Sequence, residues 1–192
     1  MRLLSVNTGQ ARPLRVAGGR NVLSAIGKTP VTGPVAVAAL GLQGDDQADP
    51  SVHGGLDKAV YAYPVEHLAF WQRERNEHGA SLFDETLPFG FMGENLSIEG
   101  LLETEVWIGD TLHFPGCALR VTAPREPCFK FTAIMGFAQA GKRMMQQGCP
   151  GFYLSVVRAG LIETGQTFTL EPGQRGLTVR DAFHAKRIKH LR

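Results

Sequence analysis

The chain has 192 residues, of which 43% are hydrophobic and 20% charged, and its formal net charge is +2. This length and composition predict one soluble globular domain with at most a short appendage, and so small a net charge does not indicate nucleic-acid binding. The sequence has no apolar run of about 18 residues to span a membrane and no signal peptide at its start, and its three cysteines without zinc-type spacing favour a reducing, cytoplasmic compartment.

The first part of the chain alternates short apolar runs with turn residues. Residues 3–7, 24–29, 35–40 and 59–63 are predicted strands, because each run is bounded by Gly, Pro or polar residues. A basic stretch with a Gly-Gly turn occupies residues 11–22. This pattern is typical of a sheet protein built from short strands.

A long polar loop is predicted over residues 41–58, where glycines and acidic residues exclude a strand or a stable helix. Gly54 and Gly55 let backbone amides approach an anionic ligand, and His53 and Lys58 lie close in sequence to add polar and charged contacts. A mobile surface turn would carry similar residues, so both interpretations stay open.

Pro64 opens the clearest predicted helix, which ends before Gly79. A second glycine loop, over residues 88–96, then places Glu94 beside Asn95. The Asn95 amide either satisfies a turn or holds a heterocycle or oxo ligand by hydrogen bonds.

A third loop presents a thiol. Pro124 and Pro127 end the preceding predicted strand, because proline lacks an amide proton, and Cys128 follows at once. Arg125 and Lys130 are near in sequence, and cationic neighbours favour the thiolate, the form that ligates metals and attacks electrophiles. A small buried core cysteine is the alternative.

The remaining segments complete a mainly β chain. Further predicted strands cover residues 105–108, 111–114, 118–122, 152–157, 166–170 and 177–179. A helix interrupted by Gly136 and Gly141 is predicted over 132–147, and a short helix or frayed tail over 181–192. About ten short strands and two helices predict a β-barrel or closed sheet with peripheral helices. We expect the loops over 44–58, 89–95 and 123–130 to converge on one rim.

Several motifs, taken in order, resemble one family. They lie at residues 41–48, 52–55, 58–60, 63–64, 89–90, 93–97, 109–110 and 124–130. Together they resemble the MOSC domain (molybdenum cofactor sulfurase C-terminal domain), in its bacterial YiiM-like form, over residues 24–170. The resemblance implies a MOSC-type β-barrel similar to that of pyruvate kinase. Residues 1–23 would add an N-terminal strand and basic loop to this barrel, and residues 171–192 a C-terminal tail or short helix.

The resemblance also implies a cofactor and a reaction. It implies a molybdenum cofactor (molybdopterin) and two-electron reduction of N-hydroxylated compounds, such as N-hydroxylated purines. Cys128 is the implied metal ligand and, with Asn95 and His53, a catalytic candidate. The implied cofactor contacts are Cys128, Arg125, Lys58, His53, Gly54, Gly55 and Asn95.

The expected partners follow from the same resemblance. The sequence has no flavin, haem or iron–sulfur motif, so a separate electron-donor reductase is expected beside the small-molecule substrate. Nucleic acid and membrane are not expected partners, and a homodimer is left open. Two alternatives remain, namely a carrier of the cofactor or of persulfide sulfur, and a non-enzymatic docking module for a redox partner.

Overall fold

The computed structural model describes residues 1–48, 54–81 and 85–189. The strands are β1 (Arg2–Thr8), β2 (Arg12–Arg15), β3 (Asn21–Ser24), β4 (Thr29–Pro30), β5 (Val35–Ala38), β6 (Gly41–Leu42), β7 (Val60–Pro64), β8 (Leu96–Glu99), β9 (Thr111–His113), β10 (Ala118–Pro124), β11 (Phe152–Arg158), β12 (Gly160–Ile162) and β13 (Thr169–Glu171). The helices are α1 (Leu68–Glu77), α2 (Phe129–Met135), α3 (Ala140–Gln147) and α4 (Val179–Lys189). In the described part of the chain, no helix is both long enough and apolar enough to cross a bilayer.

Eight strands form one sheet in the order β13-β9-β10-β11-β7-β8-β1-β4. Smaller sheets are formed by β12-β5-β6 and by the hairpin β2-β3. All pairs are antiparallel except β7 with β8. The predicted mainly β class with a few helices is confirmed. The predicted barrel is not, because the pairings within the described ranges leave the sheets unclosed, with β13 and β4 at opposite ends of the large sheet.

Strand β7 separates two apolar cores. Val60 and Ala62 face the core shared with the three-stranded sheet, whereas Tyr61 and Tyr63 face the core shared with the helices. This division follows from the alternation of side chains along a strand. Strand β7 is therefore buried on both faces, and its second face leads to the helices that carry the candidate site.

Helix α2 is held at both ends. Cys128 occupies its N-cap position with extended backbone, directly after the loop that follows β10. At the other end, Arg75 donates to the carbonyl oxygens of Ile134 at 3.1 Å and Met135 at 2.7 Å. The Arg75 side chain thus satisfies carbonyls that a helix terminus leaves unpaired, and it fixes the helix that follows Cys128.

Several of the predicted elements are wrong. Residues 24–29 do not form one strand, because β3 ends at Ser24, residues 25–28 carry no strand and β4 begins at Thr29. Residues 105–108 do not form a strand; Trp107 makes a single bridge to Thr178. Residues 177–179 lead into α4 instead of forming a strand. The predicted interruption of the helix over 132–147 is confirmed at Gly136, which adopts a φ of 79° and ends α2, whereas Gly141 lies within α3 and does not interrupt it. Glycine adopts this left-handed conformation at little cost, which makes it a common helix terminator.

Candidate functional site

A cleft opens where the three predicted loops meet, with about 670 Å³ of empty space including its mouth. Its lining residues are 24–26, Lys28, 45–48, Gly54, 58–59, Tyr61, Gly93, Asn95, Arg125, Cys128, Lys130 and Tyr153. The loops over 44–58, 89–95 and 123–130 all contribute to this lining, together with the segment after β3. The structure therefore brings together Cys128, Arg125, Asn95, Lys58 and Gly54 from the predicted set.

Cys128 is half-buried and lines the cleft from the start of α2. Arg125 is buried behind it and interacts with it electrostatically. The Arg125 Nη1 donates to the Met92 carbonyl oxygen at 3.0 Å, and the guanidinium lies 4.8 Å from the Phe131 ring centroid and 5.1 Å from that of Tyr61. These contacts hold a permanent positive charge near the thiol, which favours the thiolate.

Asp45 connects three segments beneath the cleft. Its carboxylate accepts from the Gly9 amide at 2.8 Å and from the Asn95 Nδ2 at 2.8 Å, and it forms an ion pair with Lys28. The side chains of Lys28 and Asp45 are each 7% exposed. Burial lowers the pKa of the Lys28 ammonium, against the opposing attraction of Asp45. Sequence analysis did not assign either residue to the site, because a lysine in a short predicted strand and an acidic residue in a polar loop are usually solvated groups.

Both ends of the Asn95 amide are used within the protein. Its Oδ1 accepts from the Tyr61 amide at 3.0 Å, and its Nδ2 donates to Asp45 and, at 3.3 Å, to the Asn7 carbonyl. These hydrogen bonds agree with the interpretation in which the Asn95 amide satisfies backbone groups of a turn. A direct contact with cofactor or substrate stays a prediction.

The glycine pair has two different roles. Gly54 lines the cleft with a φ of 134°, and a Cβ there would lie 2.3 Å from the Gln47 Oε1, so only glycine fits. The Gly55 amide donates to the same Gln47 oxygen at 2.9 Å, so this amide is already engaged within the loop. Of the predicted pair, Gly54 is therefore the one placed for close approach of a ligand. The predicted His53 lies outside the described residues.

The cleft has an excess of positive charge. Its charged lining side chains are Lys28, Lys58, Arg125, Lys130, Asp45 and Asp46. Lys58 lies with its Nζ 5.7 Å from the Tyr153 ring centroid, and Lys130 is buried to 8% exposure. In the described ranges, no acidic side chain lies within ion-pair distance of Lys130. The balance of charge suits an anionic ligand.

Glu94 does not face the cleft, although it adjoins Asn95 in sequence. Its Oε1 accepts from the Gly90 amide and the Ser97 hydroxyl, both at 2.7 Å, and Ser97 in turn accepts from the Asn7 Nδ2 at 3.0 Å. The Glu94 Oε2 is buried and has no hydrogen-bond partner among the described residues. Burial raises the pKa of Glu94.

This buried carboxyl makes stability depend on pH. Because its pKa is raised in the folded state, its stabilising contribution is complete below the unfolded carboxyl pKa of about 4.3 and is lost as pH rises through the folded pKa. Glu94→Gln mimics the protonated carboxyl. We expect its free energy of unfolding in urea to exceed that of the wild type by about 1–2 kcal/mol at about pH 8 and to match it at about pH 5.

The matched control is Glu77→Gln, an exposed glutamate on α1, which should show no pH-dependent difference. An equal destabilisation by Glu94→Gln at both pH values would contradict the assignment of a raised pKa to Glu94.

Two histidines next to α1, His67 and His78, contact neighbouring side chains. The His67 Nε2 lies 2.8 Å from a Glu103 oxygen, and the His78 ring stacks on Phe137 with centroids 4.4 Å apart. Among the residues that the structure describes, no group of three His, Cys, Asp or Glu side chains is placed to hold a metal ion.

Comparisons with known proteins identify the family of the chain. The family model of the MOSC domain matches residues 49–169. The chain is 36% identical over 159 residues to the protein YiiM of Escherichia coli, covering 83% of this chain and 69% of that protein. A Gibberella moniliformis protein named reductase is 35% identical over 169 residues, covering 88% of this chain but only 29% of that protein.

A solved structure shares the fold. The crystal structure of YiiM from Geobacillus stearothermophilus superposes with a TM-score of 0.72 at 30% identity, covering 98% of this chain and 83% of that chain. The ordered motifs, the three-loop cleft and these matches together show that the chain belongs to the MOSC domain family.

Proposed function

We propose that the protein binds a molybdenum cofactor of the molybdopterin type and uses it to reduce N-hydroxylated compounds by two electrons. The observation that carries the proposal is the half-buried Cys128 thiol, which faces a positively charged cleft next to Arg125. Membership of the MOSC family and the reductase name of the fungal relative support oxidoreductase chemistry.

The donor set fits a metal that brings its own ligands. The described residues offer no cluster of three metal-binding side chains, and Cys128 is the one thiol among the cleft-lining residues. A metal held by the sulfur atoms of an organic cofactor needs only one such soft ligand from the protein. Lys58 and Lys130 would bind the phosphate of this cofactor, and Gly54 would allow its close approach.

The reaction consumes protons as well as electrons. An N-hydroxylated amine, two electrons and two protons give the amine and one water, as the N–O bond breaks. The cofactor would supply the redox chemistry, while the protein supplies position and electrostatics. Lys28 would hold a proton in the cleft, because its ammonium pairs with Asp45 while burial lowers its pKa below the usual lysine range.

The test is metal analysis joined to a turnover assay. Protein made in a host that synthesises the cofactor should contain stoichiometric molybdenum and should reduce an N-hydroxylated purine with reduced methyl viologen as electron donor. Protein without molybdenum but with a labile extra sulfur on Cys128 would instead identify a sulfur carrier. Protein with neither would refute both the reductase and the carrier.

A further inference from the structure

The hairpin of β2 and β3 is a positively charged part of the surface. It is a two-stranded sheet of its own, and Arg12, Arg15 and Arg20 are all exposed on it. The first acidic residue of the chain is Asp45, so nothing in the sequence of this segment balances these charges. An isolated two-stranded hairpin gains little stability by itself, so a role in recognition would account for its presence.

These three arginines form no ion pair with any residue that the structure describes. By contrast, Arg2, Arg75, Arg143 and Arg175 each form one. Unpaired guanidinium groups repel one another, and they are well suited to binding carboxylates through paired hydrogen bonds. The exposed guanidinium groups of the hairpin are therefore available to bind acidic groups.

A groove with about 910 Å³ of empty space, its open side included, lies between this hairpin and α2. Arg15 and Arg20 line its hairpin side, and Phe129 and Phe137 line its helix side. Phe129 is 55% exposed. An apolar floor with a charged rim is the usual composition of a protein-binding surface.

The groove adjoins the cleft, because the hairpin and the start of α2 contribute lining residues to both. Strand β3 ends at Ser24, which lines the cleft, while the turn end of the hairpin, with Arg15 and Arg20, borders the groove. Helix α2 begins after Cys128 in the cleft, and its first residue, Phe129, lies in the groove. A protein seated on the groove would therefore lie at the Cys128 side of the cleft.

We propose that the hairpin and groove dock a small acidic electron-transfer protein of the flavodoxin or ferredoxin class. The inference rests on the proposed function, in which two electrons per substrate must come from a separate donor that becomes oxidised. Carboxylates on the donor would pair with Arg12, Arg15 and Arg20, and an apolar patch would cover Phe129. Such complementarity mainly raises the association rate and depends on ionic strength.

The experiment compares two charge-reversed variants of the holo-protein with the wild type. The test variant is Arg12→Glu/Arg15→Glu/Arg20→Glu, and the matched control reverses exposed cations elsewhere, as Arg73→Glu/Arg120→Glu/Lys142→Glu. The probes are a purified flavodoxin and a purified [2Fe–2S] ferredoxin, both of net negative charge. Binding is measured at low and high salt, and turnover is measured with each probe and with reduced methyl viologen.

We expect the wild type and the control to bind at least one probe and to release it at high salt. The hairpin variant should lose about 10-fold or more in binding and in kcat/KM for the protein donor, with unchanged turnover on methyl viologen. Binding is measured independently of turnover. A protein that lacks molybdenum would therefore refute the proposed function, while the binding measurements would still test the docking proposal.

Four results would overturn the docking proposal. They are binding of neither probe by the wild type, equal binding by both variants, a tighter complex of the hairpin with DNA than with either probe, and loss of a homodimer in the hairpin variant alone. The last two would assign the arginines to nucleic acid or to a second copy of the chain.

Discussion

Cys128→Ala is expected to abolish molybdenum retention and reductase turnover while the protein remains folded. The thiol is half-buried and faces the cleft, so its removal deletes the one soft ligand in the lining without opening a core cavity. Loss of an outer-shell partner of a metal ligand already costs about 10–100-fold in affinity or activity, so loss of the ligand itself should cost more than about 100-fold. Metal content and turnover on methyl viologen are the measurements.

The other two thiols are the controls. Burial raises the pKa of Cys117 to about 11 and that of Cys149 to about 12, so both stay protonated near neutrality and are poor ligands. Cys117→Ala and Cys149→Ala should lower the free energy of unfolding but keep the molybdenum content. Full metal content in Cys128→Ala would remove the basis of the ligand assignment.

Asp45→Ala is expected to destabilise the fold by about 3–5 kcal/mol, because it leaves the buried Lys28 ammonium without a counter-charge. Asp45 also accepts from the Gly9 amide and the Asn95 side chain, so the loss would loosen three segments around the cleft. Lys28 would remain buried without its counter-charge. Urea unfolding measures the cost.

A double-mutant cycle isolates the ion pair from the other contacts. Lys28→Met removes the stranded ammonium but keeps its apolar stem, so adding it to Asp45→Ala should recover part of the lost stability. The remaining deficit then belongs to the bonds with Gly9 and Asn95. Additive effects of Asp45→Ala and Lys28→Met would show that the two charges do not interact.

Turn chemistry made much of the cleft predictable. Two prolines around Arg125 predict the stiff loop that presents Cys128, and the structure places this loop between β10 and α2. The glycine at position 54 predicts close backbone approach, and its backbone φ and crowding require glycine there. These features depend on local backbone preferences, which the residue type largely determines.

Long-range pairing was not predictable in the same way. The Lys28–Asp45 ion pair and the bond from Asn95 to Asp45 join residues far apart in sequence, and no local pattern specifies them. The strand predicted over 105–108 failed for a related reason, because strand formation there depends on a partner that the fold places elsewhere. The closure of a barrel likewise depends on the end strands of the sheet and not on any one segment.

Because β7 packs against two cores, the cleft forms only when β7 pairs with its neighbouring strands in the correct register. A slip of one residue against β8 or β11 would send Tyr61 into the core that now holds Val60 and Ala62, and would bring small aliphatic side chains beneath Arg125. Both cores and the support of the guanidinium would be lost in one event. Partly misfolded molecules should therefore lack the cleft altogether, so that activity per folded molecule stays constant as the folded fraction falls.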